Sequence, residues 1–507
     1  MVSMKSNDEL FELIKSMSKP EKRFFKIYAG KNSTNYVKLF VAIDKISIYD
    51  DKSFRKKYSG EQFLKNFSYN KHYLFKLLLE SLNNFNSNKS IDFRIRELIS
   101  GYETLFRKGL LKQAKKILDK AYSLVKDNEK KFYIMIILAN KINLKNMIID
   151  QEERDYYVND LMKEQSAVLA NLKNEIDYYI LSTQIMKFMN IKGGARKEEE
   201  RKEIEAILKN DLLTDDSKPV SIDAKCYYYF IKHLCYLNLE NLNKSYYFSR
   251  KGVEILDDVD MKLAANRARL RTALGAHLLL LRYFPKKDKE FFDCLKKYRA
   301  AIYPERQQLA GRYIDSYNSE LLFNIKSGMY EANTKVLTKA AAAINGLKDF
   351  KNTGEYYYLA SNAAYSEFIN SRFDNCQYWI NIAMSETISY KAQTHVRLLS
   401  LILNYELKNF ELLESQMRST YRYLKSKGRL LKYEKLVLDF IRVSAKNITV
   451  NQLLELFERM RIQLIEIIKD KDEKKAFEDV DLVTWLESKI KGIKFIDMLT
   501  EKVNTTA

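Results

Sequence analysis

Residues 102–128, YETLFRKGLLKQAKKILDKAYSLVKDN, decide the fold of this chain. Gly109 lies between two stretches in which apolar residues recur every three or four positions, which is the period of an α-helix. A glycine at that place ends one helix and allows the next to begin after a short turn. In the second stretch Ala114, Leu118 and Ala121 fall on one side, where the two alanines let a neighbouring helix approach closely. The segment therefore predicts a hairpin of two closely packed helices.

This hairpin resembles a tetratricopeptide repeat, in which a glycine closes the first helix and small residues recur at set positions of the second. Gly109 and Ala114 match that spacing, as do the bulky and the small residue that follow, Leu118 and Ala121. The aromatic residue that the family places four positions before the glycine is Leu105 here. The resemblance implies a right-handed α-solenoid. Proteins of this family serve as assembly platforms and as the ligand-sensing parts of regulators.

Weaker versions of the pattern recur further along the chain. Their first anchors are Asn333, Cys376, Leu413 and Leu453, which are separated by 43, 37 and 40 residues. This spacing exceeds the roughly 34 residues of a regular tetratricopeptide array and indicates longer helices. Chance triplets in any all-helical protein are the alternative interpretation. The other positions expected to pack between helices are Tyr236, Ser245, Ser249, Gly252, Phe291, Leu295, Tyr298, Leu337, Ala340, Ile380, Ala383, Met417, Thr420, Phe457 and Met460.

The composition supports an all-α fold. The 507 residues include only 14 glycines and 4 prolines, although these two types together usually make up about 12% of a protein. So few turn-forming residues exclude a β-sandwich, a β-propeller or an α/β enzyme with many loops. Because 46% of the residues are hydrophobic, the chain must bury a large core, and wholesale disorder is excluded.

The chain is expected to have three parts. Residues 1–90 form a small, basic helical module that ends at the polar stretch NNFNSNKS. Residues 91–470 form the solenoid of roughly ten hairpins, and 471–507 form a helical cap whose tail, VNTTA, is expected to fray. Residues 193–209, GGARKEEERKEIEAILK, are interpreted as a charged, solvent-exposed connection between hairpins.

Motifs of catalysis are missing from the sequence. There is no GxxxxGK[ST] phosphate loop, no GxSxG elbow and no HExxH pair. The histidines and cysteines, none at a ligand spacing, are His72, His233, His277, His395, Cys226, Cys235, Cys294 and Cys376. The sequence therefore predicts a non-enzymatic protein without metal or cofactor, with mostly buried free thiols. It also shows neither a secretory signal nor a membrane-length apolar run, so a cytoplasmic protein of bacterial type is expected, with no membrane contact.

The net charge of +21 raises the possibility of an anionic partner. Residues 1–90 hold 17 lysines and arginines against 9 acidic residues. Because 63 of the 87 basic residues are lysines, an ordinary solvated surface is the alternative interpretation. The candidate contacts to an anion or to nucleic acid are Lys19, Lys22, Arg23, Lys26, Arg55, Lys56, Lys57, Arg267 and Arg271.

Two functions follow from these patterns. The first is a protein-interaction scaffold, which binds a peptide or protein partner, acidic in character, on the concave solenoid face. Tyrosines clustered at 227–229, 246–247 and 356–358 would contact that partner, or would only fill the space between helices. The second is a transcriptional or RNA regulator whose basic amino-terminal module contacts nucleic acid. The regulator is favoured if 19–26 and 55–57 form one exposed basic face, and the scaffold if Phe24 and Phe25 anchor their helix in a core.

Overall fold

The structure is a computed structural model that describes residues 6–30, 34–86, 90–148, 151–192, 194–303, 306, 308–347, 354–385, 390–444, 449–473 and 480–506. These residues form 24 α-helices and three short 3-10 helices, and no strand occurs among them. The prediction of an all-α fold is therefore confirmed. The chain divides into two compact units, Met1–Leu169 and Ala170–Ala507. The boundaries expected near residues 90 and 470 stay predictions.

The first unit is built from helices whose apolar faces meet in two cores. They are α1 (Ser6–Ser16), α2 (Lys19–Tyr28), α3 (Thr34–Lys45), α4 (Asp51–Lys57), α5 (Phe67–Asn86), α6 (Ile91–Arg107), α7 (Leu111–Asp127), α8 (Lys131–Ile148) and α9 (Gln151–Lys192), which continues into the second unit. Ser18 begins α2 with a capping box, since its backbone N–H donates to the Glu21 carboxylate at 2.7 Å and its hydroxyl accepts from the Glu21 N–H. Phe25 is fully buried in the first core, 4.7 Å from the ring of Phe40.

The hairpin at residues 102–128 consists of α6 and α7. Gly109 lies between them with φ +72°, a left-handed conformation that a glycine adopts without steric cost. Ala114, Leu118 and Ala121 are all buried, at no more than 1% exposure. These side chains therefore lie on the buried face of α7, in a core that also contains residues of α6, as the spacing predicts.

The second unit contains the remaining helices. They are α10 (Glu198–Leu208), α11 (Ile222–Asn238), α12 (Leu242–Glu254), α13 (Ala264–Leu281), α14 (Asp288–Ile302), α15 (Ala310–Lys326), α16 (Ala332–Asn345), α17 (Gly354–Ile369), α18 (Phe373–Met384), α19 (Tyr390–Glu406), α20 (Phe410–Ser426), α21 (Lys432–Ser444), α22 (Val450–Ile467), α23 (Leu482–Lys491) and α24 (Phe495–Thr506). Most pack against the next helix in the chain. In addition, α11, α13, α15, α17, α19 and α21 each contact the next member of that set and so form one contiguous row.

The positions expected to pack between helices lie in the interior of this unit. Ala340 and Ala383 are no more than 1% exposed, and Leu453, Met417 and Tyr236 are half-buried. The remaining buried members are Ser245, Ser249, Gly252, Phe291, Leu295, Tyr298, Asn333, Leu337, Cys376, Ile380, Leu413, Thr420, Phe457 and Met460. Three turns between helices hold a non-glycine residue in the left-handed region, with φ +59° at Glu240, +56° at Ser371 and +57° at Lys408.

One local expectation is wrong. The segment 193–209 is not simply solvent-exposed, because Arg196 and Glu200 are only 8% and 5% exposed and form ion pairs with distant helices. The last helix continues into the tail VNTTA as far as Thr506, the expected fraying of that tail stays a prediction, and Ala507 lies outside the described residues. The Lys502 ammonium group pairs with Asp481 at 2.6 Å and so ties this last helix to the start of α23.

Candidate functional site

The basic residues expected at the amino terminus lie on two helices of the first unit, α2 and α4. Two of them are engaged in ion pairs: the Lys22 ammonium group lies 2.7 Å from Asp44, and the Arg55 Nε lies 2.8 Å from Asp51. The Arg55 guanidinium group also stacks over the ring of Phe67 at 4.6 Å. These two side chains therefore stabilise their own unit.

The other five basic residues of this set are exposed: Lys19, Arg23, Lys26, Lys56 and Lys57. Helix α2 itself is anchored by its aromatic residues, because Phe25 is fully buried and the half-buried Phe24 lies 5.3 Å from Phe85. The interpretation of Phe25 as a core residue is confirmed.

The second predicted arginine cluster lies on α13 in the other unit. Arg267 donates to the carbonyl oxygens of Met261 and Lys262 at 3.1 and 2.9 Å, and Arg271 donates to that of Ala301 at 3.5 Å. These contacts hold both guanidinium groups against backbone of their own unit. Their role as anion contacts stays a prediction.

Each tyrosine cluster contains side chains that point to different sides of its helix, so its members differ in burial. Tyr228 and Tyr356 are buried, whereas Tyr247 and Tyr358 are 54% and 37% exposed. Burial raises the pKa of Tyr228 to about 12, helped by the nearby charges of Asp216 and Asp215. Each cluster thus places at least one tyrosine against the neighbouring helices, as expected, while its other members are partly or largely exposed.

A serine, a histidine and a glutamate form a hydrogen-bonded row between α12, α13 and α14, which sequence reasoning missed. The Ser249 hydroxyl lies 2.9 Å from Nδ1 of His277, whose Nε2 lies 3.0 Å from Glu290. Ser249 is only 4% exposed, and its hydroxyl also donates to the Tyr246 carbonyl of its own helix at 3.0 Å. Burial lowers the pKa of His277, which outweighs the attraction of the Glu290 carboxylate. The row is a buried packing contact that satisfies polar groups between three helices.

The second unit contains a cavity of about 800 Å³. It lies between the carboxyl-terminal end of α9, the start of α10, and side chains from α18, α19, α20 and the turn that follows α20. Its basic side chains are Lys192, Lys197, Arg397, Lys427 and Arg429, and Glu200 is its one carboxylate among the described residues. Five positive charges thus face a single negative charge.

Glu200 is neutralised within the wall of this cavity. Arg429 donates to its carboxylate at 2.8 Å, and the backbone N–H groups of Arg196 and Lys197 donate to it at 2.8 and 3.0 Å. Burial works to raise the pKa of Glu200, but these amides and the Arg429 charge outweigh it and the pKa is lowered. The carboxylate is therefore ionised at neutral pH and is fully occupied by its partners.

The side chain of Arg397 contacts an aromatic ring and a hydroxyl group. Its guanidinium carbon lies 4.5 Å from the centre of the Tyr423 ring, and its Nη1 donates a long hydrogen bond of 3.4 Å to the Ser419 hydroxyl. The Nε of Arg397 is buried without a hydrogen-bond partner among the described residues. Burial accordingly lowers the pKa of this guanidinium group. A partly buried arginine that has no carboxylate partner among the described residues is energetically unusual, since a desolvated charge normally has a paired counter-charge.

A cluster of buried ion pairs adjoins the cavity. Arg196 pairs with Glu434 at 2.8 Å and with Glu473 at 3.3 Å, and all three side chains are less than 10% exposed. The Glu473 carboxylate also accepts from the backbone N–H groups of Lys432 and Tyr433. Burial raises the pKa of Glu434, although the Arg196 charge opposes that effect. The cluster joins the start of this unit to segments more than 230 residues further along the chain.

Comparison with models of known families, with characterised proteins and with solved structures finds no match to this chain. Within the described ranges, no three histidine, cysteine, aspartate or glutamate side chains are grouped so as to hold a metal ion. The helices of those ranges include none that is long and apolar enough to cross a membrane. The four cysteines are free, and burial raises the thiol pKa of Cys226, Cys235 and Cys294 to about 12.

Proposed function

We propose that this chain is a non-enzymatic scaffold that binds a protein partner, and that its hairpins form a right-handed α-solenoid similar to tetratricopeptide repeats. The contiguous row of α11, α13, α15, α17, α19 and α21 supports the solenoid, because stacked hairpins bring every second helix together. The small and apolar residues buried at the repeated positions support it as well. The concave face as the binding surface stays a prediction.

The observation that carries partner binding is the exposed apolar face of α9 in the second unit. Its buried side carries Tyr178, Leu181 and Ile185, which pack in the core. Its opposite side carries large side chains at helical spacing that are between 39% and 61% exposed: Ile176, Tyr179, Ile180, Met186 and Ile191. A helix that is apolar on both sides is normally covered on both sides.

The partner element that fits this face is an amphipathic helix with acidic residues beside its apolar stripe. The face extends over sixteen residues, which is about 24 Å of helix and a little more than four turns. Apolar residues at these steps form the ridges between which side chains of a second helix insert. Lys187 lies on the same face, is exposed and forms no ion pair with any described residue, so it can pair with an acidic side chain of the partner.

The test compares Ile176→Asp/Ile180→Asp with a control, Ile462→Asp, which alters an equally exposed side chain on α22. A partner captured by the wild-type chain is purified, and its affinity is measured by calorimetry. Burial of one isoleucine contributes about 1.5 kcal/mol or more, so the double variant should weaken binding at least tenfold. Equal affinity of the double variant and the control contradicts the proposal. A change of molar mass by light scattering in the double variant alone would assign the face to a second copy instead.

A second candidate function is nucleic-acid binding by the first unit. The observation that favours it is the exposure of Lys19, Arg23, Lys26, Lys56 and Lys57, none of which pairs with a carboxylate among the described residues. The Lys22–Asp44 ion pair and the buried Phe25 weigh against it. Anisotropy of labelled double-stranded DNA and single-stranded RNA between about 50 and 300 mM NaCl separates specific binding, which survives salt, from general attraction. Arg23→Glu/Lys26→Glu should abolish the specific component.

A further inference from the structure

The cavity of about 800 Å³ has more positive charge than its own residues neutralise. Arg429 is paired with Glu200, and Lys192 is paired with Glu203 at 3.0 Å. No carboxylate of the described residues pairs with the remaining three cations, Lys197, Arg397 and Lys427. Three positive charges that line one open cavity without a carboxylate partner among the described residues repel one another unless an anion lies between them.

Arg397 supplies a second, independent indication of a ligand. Its Nε is buried and has no hydrogen-bond partner among the described residues, and its guanidinium group lies over the Tyr423 ring, where the one hydrogen bond that the described residues provide is the long bond to Ser419. A guanidinium group has five N–H donors, so most of its hydrogen-bonding capacity is unused. Partial desolvation of an arginine with unused donors raises the free energy of the folded protein. Hydrogen bonds to an anionic ligand would offset this cost.

The size and the donors of the cavity define the ligand class. Its volume lies within the range of roughly 300 to 1,000 Å³ that is typical of small-molecule sites, so it suits a compact ligand. An arginine fork with flanking lysines matches the oxygens of a phosphate group. We propose that this cavity binds a phosphate-bearing small molecule, with Lys197, Arg397 and Lys427 holding the phosphate groups.

The experiment is isothermal titration calorimetry of the full chain with inorganic pyrophosphate, with ATP and with citrate, in about 150 mM NaCl. The variants are Lys427→Gln and Arg397→Gln. The matched control is Lys425→Gln, which removes another exposed charge, two residues away on α20, that does not line the cavity. Lys427 is exposed, so its substitution leaves the fold intact, and an unchanged urea midpoint verifies this for both cavity variants.

Saturable binding of pyrophosphate or ATP is expected, with at least a tenfold loss of affinity in Lys427→Gln and Arg397→Gln and less than a twofold change in Lys425→Gln. ATP that binds more tightly than pyrophosphate identifies a nucleotide as the source of the phosphate, whereas equal affinities identify a free polyphosphate. Three results overturn the proposal: no saturable binding of either probe, equal losses in the control and in the cavity variants, or citrate that binds as tightly as pyrophosphate with the same losses.

Discussion

Removal of the buried Arg196 guanidinium group should strongly destabilise the second unit. Arg196→Met keeps the length of the side chain but leaves Glu434 and Glu473 without their arginine, 2.8 and 3.3 Å away in the wild-type protein. These two carboxylates are only 1% and 4% exposed, so they cannot regain their solvation. Removal of one member of a buried ion pair costs about 3–5 kcal/mol. We therefore expect a loss of this size in the free energy of unfolding.

The chain offers a convenient assay and a matched control. Its only two tryptophans, Trp379 and Trp485, both lie in the second unit, so their fluorescence during urea unfolding monitors that unit alone. The control is Arg418→Met, which breaks an ion pair with Glu414 whose side chains are 68% and 67% exposed. This change should alter stability by less than about 0.5 kcal/mol, because water screens such pairs.

The dependence on pH gives a second test of the same reasoning. Burial already raises the pKa of Glu434 above its usual range, and the loss of Arg196 raises it further. A carboxyl whose folded pKa is raised contributes its stability below about pH 4.5 and loses it as the pH rises through the folded value. The deficit of Arg196→Met should therefore be smallest at acidic pH and grow towards pH 7. A loss below about 1 kcal/mol, or one that is independent of pH, would refute the buried ion cluster.

Two further predictions use the same fluorescence assay. Burial lowers the pKa of His233 from 6.5 to about 4, so its neutral form stabilises the fold fully above pH 6.5, and acidification towards pH 4 should remove about 3 kcal/mol. His233→Asn should make the free energy of unfolding depend less on pH in this range. An unchanged pH dependence would contradict the destabilising effect of protonating His233. Lys408→Gly should stabilise the unit by about 1 kcal/mol because it relieves the left-handed backbone at φ +57°. Lys335→Gly, within α16, should destabilise the unit by about as much. If both substitutions changed stability in the same direction, the backbone at Lys408 would not be strained.

Short-range patterns predicted most of the local structure. Ser18 and Glu21 form the capping box that their spacing indicates, and Gly109 adopts the left-handed turn that separates α6 from α7. Such features involve neighbours within a few residues, whose geometry is fixed by the helix itself. The burial of small residues such as Ala114 and Ala383 was predicted from helical spacing as well, since residues three or four positions apart share one face of a helix.

The cavity could not be predicted in this way. Its cations come from three segments, and Lys197, Arg397 and Lys427 are brought together only by the packing of α9, α10, α19 and α20. The charged stretch 193–209 was interpreted as a solvated helix. Its ion-pair partners lie in 429–434 and 470–473, more than 200 residues away, so the local sequence gives no indication of them. Lys427, Gly428 and Arg429, a basic pair around a turn glycine, were the one local signal, and such a turn usually faces solvent.

The Glu200–Arg429 pair connects these two features, since it belongs to the wall of the cavity and borders the buried ion cluster. Arg429 donates to Glu200 and to the carbonyl oxygen of Lys192, so it fixes the end of α9 against the turn after α20. Substitution of Arg429 would therefore disturb the fold and the cavity together and could not distinguish a ligand contact from a structural one. Arg397 and Lys427 contact neither Glu434 nor Glu473 among the contacts described, so their substitution separates the two roles. A loss of phosphate binding with unchanged unfolding of the second unit would assign these cations to a ligand rather than to the fold.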